Sequence, residues 1–357
     1  MFFYFLQIAI FVCYSFIFLF IQHQGSRRLY LVITGVHLIL LMGLRSYTVG
    51  TDTLSYESFV LGNGDAFNGN GAFLYNLISQ EVVRTFNGSY AAFLVCVSFL
   101  TVSFTLASVS MLIRNNVLLV ESLFLYLTFY YYFEAFNISR QMLALSMVAF
   151  AVTLLLHNKK MFSILLMFAA IGIHTTAVLG LFFYLFYYMR LTLIRLILLI
   201  TILAFSRIML PTLVGAFSSL FSHYEMYSLS TYQIEAGSGR SNVIMGIFLI
   251  LIVLLTLSLT QAVFDPITNV LIVAMAVGGV WYIVGANSSL LVRMGDYYGF
   301  FSVIAIPLCL DKIASKFLHK RNASIVLTSF TMLFAVTVFY FKISQNFGGI
   351  IPYFLIG

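Results

Sequence analysis

Charge is what this sequence lacks most. Only 8% of its 357 residues are charged while 62% are hydrophobic, and no water-facing globular surface can be covered by so few ionic groups. A soluble domain is excluded and a polytopic membrane protein is left. Cysteine is scarce as well. Cys13, Cys96 and Cys309 each sit within an apolar run without CxxC or metal-ligand spacing, which removes any redox motif or disulfide framework and leaves three small core hydrophobes. The six histidines are too dispersed to argue for a metal site. A Walker loop, a convincing GxGxxG, HExxH and DxD are all missing, so nucleotide hydrolysis, zinc proteolysis and metal-dependent transfer from a sugar nucleotide lack their parts. The formal net charge of +7 is scattered between apolar runs. It forms no patch, so no nucleic-acid partner is implied.

What the sequence does hold is a series of apolar runs of about twenty residues, which lipid forces to cross as helices because it offers the backbone no other partner. About twelve spans are expected, at 2–22, 29–44, 90–112, 117–136, 141–157, 161–173, 175–189, 193–210, 243–263, 267–286, 294–310 and 323–341. The pair 161–173 and 175–189 is short for two full spans and reads as tilted or broken helices meeting at His174. The expected fold is one all-α transmembrane domain over residues 1–357, with longer extracytoplasmic loops at about 45–89 and 211–242. The first loop contains "GNGDAFNGNG", a run of turns, then "AFLYNLISQEVVRTF", an amphipathic helix for the membrane interface. Aromatic residues, at 17%, suit lipid anchoring and sugar stacking equally and alone decide nothing.

Basic residues orient the spans. If the first runs from outside to inside, eleven of the 18 basic residues fall on the cytoplasmic side with three of the 11 acidic ones, a net of +8. The other side keeps seven basic and eight acidic residues, a net of −1, which agrees with the positive-inside rule. Both termini are then extracytoplasmic. The first apolar run has no basic residue before it and two after it, so it is expected to stay in the mature chain rather than be cleaved as a signal peptide. Five of the inner eleven basic residues are lysine, against one of the outer seven. Any cation satisfies a topology signal, whereas arginine's planar fork is what bidentate phosphate or carboxylate recognition needs. The cytoplasmic loops are short, so function is expected to face outward.

Five segments bring polar groups to that outer edge. "MGLRSYTVGTDTLSY" carries Arg45, Asp52 and Tyr56; "EAFNISRQM" carries Glu134, Asn137, Ser139, Arg140 and Gln141; "GIHTTA" carries His174; "GSGR" carries Arg240; and "RMGDYY" carries Arg293, Asp296 and Tyr297. Ionisable groups near membrane depth are costly and are functional candidates by default. Blander roles stand beside this. Arg45, Arg140 and Arg293 can snorkel to headgroups, His174 can be satisfied by a carbonyl, Asp296 can pair with Arg293, His37 reads as packing, and Gly50 reads as a tight turn. Arginines, one histidine and a few carboxylates fit a lipid-linked diphosphate, whose anionic head sits at the membrane surface. Arginines there can stabilise the leaving diphosphate as a metal does elsewhere, while a base takes the acceptor's proton.

In this order, "RSYTVGTDTLSY", "SRQMLA", "HTTA" and "RMGDYY" resemble the motifs of the EpsG family, a branch of the Wzy-type bacterial polysaccharide polymerases. Thr175 and Thr176 stand where a serine is common in that family. The resemblance implies about 12 transmembrane helices in an arrangement similar to the GT-C-like lipid-donor glycosyltransferases, and a metal-independent enzyme with no cofactor. Such an enzyme joins undecaprenyl-diphosphate-linked oligosaccharide repeat units on the outer face of the bacterial cytoplasmic (inner) membrane. By position it implicates Arg45, Asp52, Tyr56, Arg140, Gln141, His174 and Arg293, to which Arg240 is added from its loop. Arg140, Arg293 and Arg240 are assigned to the donor diphosphate, Arg45, Tyr56 and Gln141 to the acceptor, and His174 to activating its hydroxyl. Asp52, expected to help hold the acceptor beside Arg45, is the rival base. Membrane lipids, a chain-length regulator and a flippase of the same pathway are the implied partners. A flippase for the same lipid, or a surface-glycan ligase or acyltransferase, remain the alternatives.

Overall fold

The computed structural model describes residues 1–21, 25–60, 73–192, 194–202, 205, 238–260, 265–286 and 288–356. Its regular elements are helices: α1 (Phe2–Phe20), α2 (Ser26–Gly43), α3 (Thr53–Val60), α4 (Phe73–Thr85), α5 (Tyr90–Leu112), α6 (Asn116–Thr128), α7 (Tyr131–Glu134), α8 (Ser139–Leu156), α9 (Lys160–Ile173), a 3-10 turn (Thr175–Leu181) running into α10 (Phe182–Tyr188), α11 (Ser238–Thr260), α12 (Pro266–Val284), α13 (Ser289–Gly299), α14 (Ser302–Ala314) and α15 (Lys320–Ser344). Two compact units result, one of Met1–Phe182 with Met332–Gly357, the other of Phe183–Thr331.

Among the described residues, seven helices are long and apolar enough to cross a membrane, and the count is eight where the pair α13 and α14, bent by 45°, is taken as one broken span. The chain is an all-helical, multi-pass membrane protein. Three more of the expected runs form shorter apolar helices, Asn116–Thr128, Lys160–Ile173 and Thr175–Tyr188, the last two meeting at His174. The run 117–136 stops early where Tyr130 takes a left-handed φ of 79°, a conformation no α-helix continues through. The expected span 193–210 lies largely outside the described residues, as do the "GNGDAFNGNG" turns and most of the 211–242 loop.

In the first unit, α8 is the central helix, with 89% of its span buried against 28% for α1. Large apolar side chains such as Phe2, Phe16, Phe99, Phe162 and Phe168 stay exposed, as a lipid-facing surface requires. Small residues let the helices approach. Gly43 of α2 lies against Val95 of α5, and Ser98, Thr101 and Ser108 turn their hydroxyls back onto carbonyls of α5 at 2.6–2.8 Å, so these three polar groups are paired within their own helix. His37 is satisfied between α1 and α2 by Tyr14 at 3.2 Å and Gln7 at 2.9 Å, the packing role expected of it. Cys309 is buried, but Cys13 is exposed on the lipid-facing α1 and is no core residue.

Both ends of the first unit are tied. At one end, Arg27 donates to the carbonyls of Arg114 and Ser110 at 2.9 and 3.0 Å. At the other, the N-terminal helix meets the C-terminal tail, with Phe3 stacked on Tyr353 at 4.3 Å and the Tyr4 hydroxyl donating to the Ile350 carbonyl. The two termini therefore share the end where α2 finishes and α8 begins.

In the second unit, α12 is the buried helix. Gly278 of α12 meets the backbone of Gly299, where a Cβ would lie 2.5 Å from the Gly299 nitrogen, so only glycine permits this approach. Asp265 caps α12 through the Thr268 N–H at 2.9 Å and pairs with Lys312 at 2.9 Å. Burial alone raises its carboxyl pKa, but the bonds from Thr268 and Lys312 outweigh this and hold it below the usual value.

Candidate functional site

The first unit gathers its candidate residues around the turn that follows α2. Gly50 has φ +102°, and a Cβ there would run into the Phe136 carbonyl and lie 2.7 Å from the Thr53 hydroxyl. Glycine is thus required both by the backbone angle and by the close approach. The Thr53 hydroxyl shares its one proton between the carbonyls of Val49 at 2.8 Å and Phe136 at 3.0 Å, so the turn is stitched to the α7–α8 connection. Asn137 completes the seam. Its Oδ1 accepts from the Asp52 N–H at 2.8 Å and the Thr51 hydroxyl at 2.9 Å.

The tail closes the other side of the same turn. Gly50 and Thr51 N–H donate to the carbonyls of Gly349 and Gly348, each at 3.1 Å, Ser46 N–H donates to Phe354 at 2.8 Å, and Ile356 N–H donates to Leu44 at 2.8 Å. Arg45 and Leu355 form the antiparallel bridge between them.

Arg45 has no exposed surface, which rules out snorkelling to headgroups in this conformation. Its Nη1 donates to the Met42 carbonyl, and its guanidinium lies 5.3 Å from the centre of the Phe136 ring, a cation–π contact of about 2 kcal/mol when desolvated. Nε and Nη2 have no hydrogen-bond partner, and among the described residues no carboxylate pairs with it. Burial pulls its pKa down while Tyr90, Tyr132, Tyr75 and Tyr353 hold it up. Tyrosines from three helices and the C-terminal tail thus act electrostatically on this arginine. Burial likewise pushes the Tyr353 hydroxyl up to about 12, with Arg45 opposing.

Asp52, just before α3, is half-buried, and its carboxylate lies 3.4 Å from the Thr51 hydroxyl. Tyr56, one turn on, is buried with its ring 6.0 Å from that of Tyr75 on α4. The amphipathic helix expected near residue 80 is α4, whose Glu81 and Arg84 are exposed while Tyr75 and Ser79 are buried. Burial raises the Tyr75 hydroxyl well above its ordinary value, Tyr56 adds to this, and Ser139 and Arg140 oppose it. Tyr75 therefore lies within electrostatic reach of both Arg45 and Arg140.

Arg140 and Gln141 open α8, half-buried and buried respectively. His174 follows the last residue of α9 in an extended conformation, half-buried, with Nδ1 2.6 Å from the Thr176 hydroxyl. Helices α8 and α9 are consecutive, antiparallel and packed together, so the start of one and the end of the other lie at the same level. Helix α4 packs on α9 there, with Leu74 against Gly172. Arg45, Asp52, Tyr56, Arg140, Gln141 and His174 thus share one end of the first unit, the end that carries both termini.

In the second unit, Arg240 is exposed at the start of α11 and Arg293 is half-buried on α13. Both lie away from the Asp265–Lys312 end. Asp296 is buried and accepts from the Tyr282 hydroxyl at 2.7 Å, and Tyr297 is fully buried, where no sugar can stack on it. Among the described residues no three His, Cys, Asp or Glu side chains gather as a metal ion needs.

Residue-type reasoning had no role for Asn137, Tyr75, Tyr90, Tyr132 or the Gly348–Gly349 pair. The signal for Asn137 is its place in the polar segment "EAFNISRQM" between two apolar runs; the tail offers only paired glycines.

No curated protein and no solved structure matches the chain. The profile of the EpsG family matches residues 28–355, which takes in all four motifs and the tail, and the chain belongs to the EpsG family of Wzy-type polymerase-like membrane proteins.

Proposed function

We propose that this protein is a metal-independent glycosyltransferase that joins undecaprenyl-diphosphate-linked oligosaccharide repeat units on the extracytoplasmic face of the bacterial cytoplasmic membrane. The observation that carries the reading is the convergence of Asp52, Arg140, Gln141 and His174, from three separate sequence motifs, on one end of the first unit. Family membership supplies the polymerase class. The lipid donor is inferred from the chemistry of the arginines.

In this reading Arg140 binds the donor diphosphate at this end of the first unit, and Arg293 and Arg240 keep the donor assignment that their motif and loop positions give them. As the bond between the donor sugar's anomeric carbon and the diphosphate oxygen breaks, its electron pair leaves with the diphosphate, and the arginines stabilise the growing charge. The acceptor hydroxyl forms the new bond and gives its proton to His174. That role requires the tautomer in which Nδ1 donates to Thr176, leaving the Nε2 lone pair to receive the proton. Asp52 helps to hold the acceptor and is the competing base. Gln141, buried beside Arg140, and Tyr56, packed on Tyr75, shape the acceptor side. Arg45, assigned to the acceptor from the sequence, has no exposed surface, and in this reading it acts from beneath the acceptor side, donating to the Met42 carbonyl ahead of the turn that presents Asp52.

The test is to incubate the purified protein in liposomes with its host's lipid-linked repeat unit and to look for a glycan ladder, with Arg140→Ala and Arg293→Ala alongside. A ladder that both variants lose supports the reading. Movement of the lipid between leaflets with no ladder would replace it with a flippase, and transfer of finished polymer to a different lipid would replace it with a ligase.

A further inference from the structure

We infer that Asn137 is a positioning residue that acts through Asp52, with the C-terminal strap Gly348–Ile356 as the wall that keeps it in place. The inference rests on the proposed polymerase reading and on the part Asp52 plays in it. A single buried oxygen, Asn137 Oδ1, takes both the Asp52 N–H and the Thr51 hydroxyl, at 2.8 and 2.9 Å. An N–H must meet an acceptor, which fixes the orientation of the amide.

An aspartate in front of a helix ordinarily turns its carboxylate onto the helix's first N–H groups. Here the backbone of Asp52 is held from outside, and the Thr51 hydroxyl, 3.4 Å from the Asp52 carboxylate, directs its one proton to the nearer Asn137 Oδ1 at 2.9 Å. The clamp leaves the carboxylate half-exposed and available to a substrate hydroxyl. The strap prevents the clamp from opening. Gly348, at φ +76°, lies so close that a Cβ on it would meet the Asn137 side chain at 3.2 Å, and Gly349, at φ +65°, would meet Thr51 at 2.7 Å. Their carbonyls hold the Thr51 and Gly50 N–H groups on the opposite side. The strap therefore fixes Gly50 and Thr51, and the amide fixes the Thr51 side chain and the Asp52 backbone, so consecutive positions of one turn are held.

A residue that only stabilises the fold and a residue that aims Asp52 differ in how they combine with loss of Asp52. The experiment measures initial rates of repeat-unit transfer, with radiolabelled lipid-linked repeat unit, for Asn137→Ala, Asp52→Asn and the double variant. Expected is a loss of about 10²-fold in kcat for Asn137→Ala, the scale of a misplacement of about 1 Å. KM should stay within about threefold, and no further loss should follow when the change is added to Asp52→Asn. Thr51→Val removes one of the two bonds from an exposed side chain without emptying a buried site, and is expected to lower kcat about fivefold. Full multiplication of the two losses in the double variant would overturn the inference, as would wild-type kcat in both Asn137→Ala and Thr51→Val. If Asp52→Asn itself keeps the wild-type rate, the assignment of Asp52 falls and the clamp falls with it. An inactive Asp52→Asn beside fully active Asn137→Ala and Thr51→Val would remove the clamp alone.

Discussion

Replacing His174 with alanine removes the ring that lies beside the Thr176 hydroxyl. The expected outcome is a loss of about 10²–10⁴-fold in polymerisation, the usual range for a general base, at normal protein levels in membranes. Full polymerisation would take the histidine out of the mechanism and leave Asp52 as the base. Gly50→Ala is a test of structure instead. At φ +102° and against the Phe136 carbonyl, a methyl group is expected to cost roughly 1–3 kcal/mol, seen as a lower unfolding temperature in detergent; an unchanged temperature would contradict the described turn. His174 could be singled out because the sequence has only six histidines, and Gly50 because it stands in a polar turn signal behind an apolar run. Arg45 could be singled out in the same way, but its surroundings could not. Four tyrosines from positions 75, 90, 132 and 353 reach it, and nothing local in the sequence says that positions so far apart share one arginine.

The helices show the same division between local and distant information. Runs such as Phe2–Phe20 and Tyr90–Leu112 could be read directly, because continuous apolarity over a bilayer's thickness has one structural outcome. The run 117–136 misled, since a left-handed tyrosine costs nothing in hydropathy and yet ends a helix. The strap was not legible at all. It has no periodicity of its own, and its order comes from bonds to Leu44, Ser46, Gly50 and Thr51, some three hundred positions away. Deleting residues 350–357 removes the Tyr353 ring from Phe3 and leaves the Ser46 N–H and Leu44 carbonyl without these partners, each costing about 1–3 kcal/mol if still buried. The expected result is lower thermal stability together with loss of transfer. A truncated chain with wild-type stability and rate would show that the strap is dispensable.

Across the whole molecule, the charge imbalance predicts which end faces out. Thr48 lies at the end with both termini, whereas Lys159 joins α8 to α9 at the opposite end of the first unit, and both are exposed. In a variant lacking Cys13, Cys96 and Cys309, Thr48→Cys is expected to react with a membrane-impermeant maleimide on intact cells, and Lys159→Cys only after permeabilisation. The reverse pattern would put Asp52 and His174 in the cytoplasm, where an extracytoplasmic polymerase cannot use them. The central claim, glycosyl transfer from a lipid diphosphate without a metal, is tested most directly by counting products. In liposomes containing EDTA, the account predicts one undecaprenyl diphosphate released for each linkage formed, with release lost in Arg293→Ala. Linkages that form only when a divalent cation is restored, or lipid that changes leaflets with no diphosphate released, would contradict it.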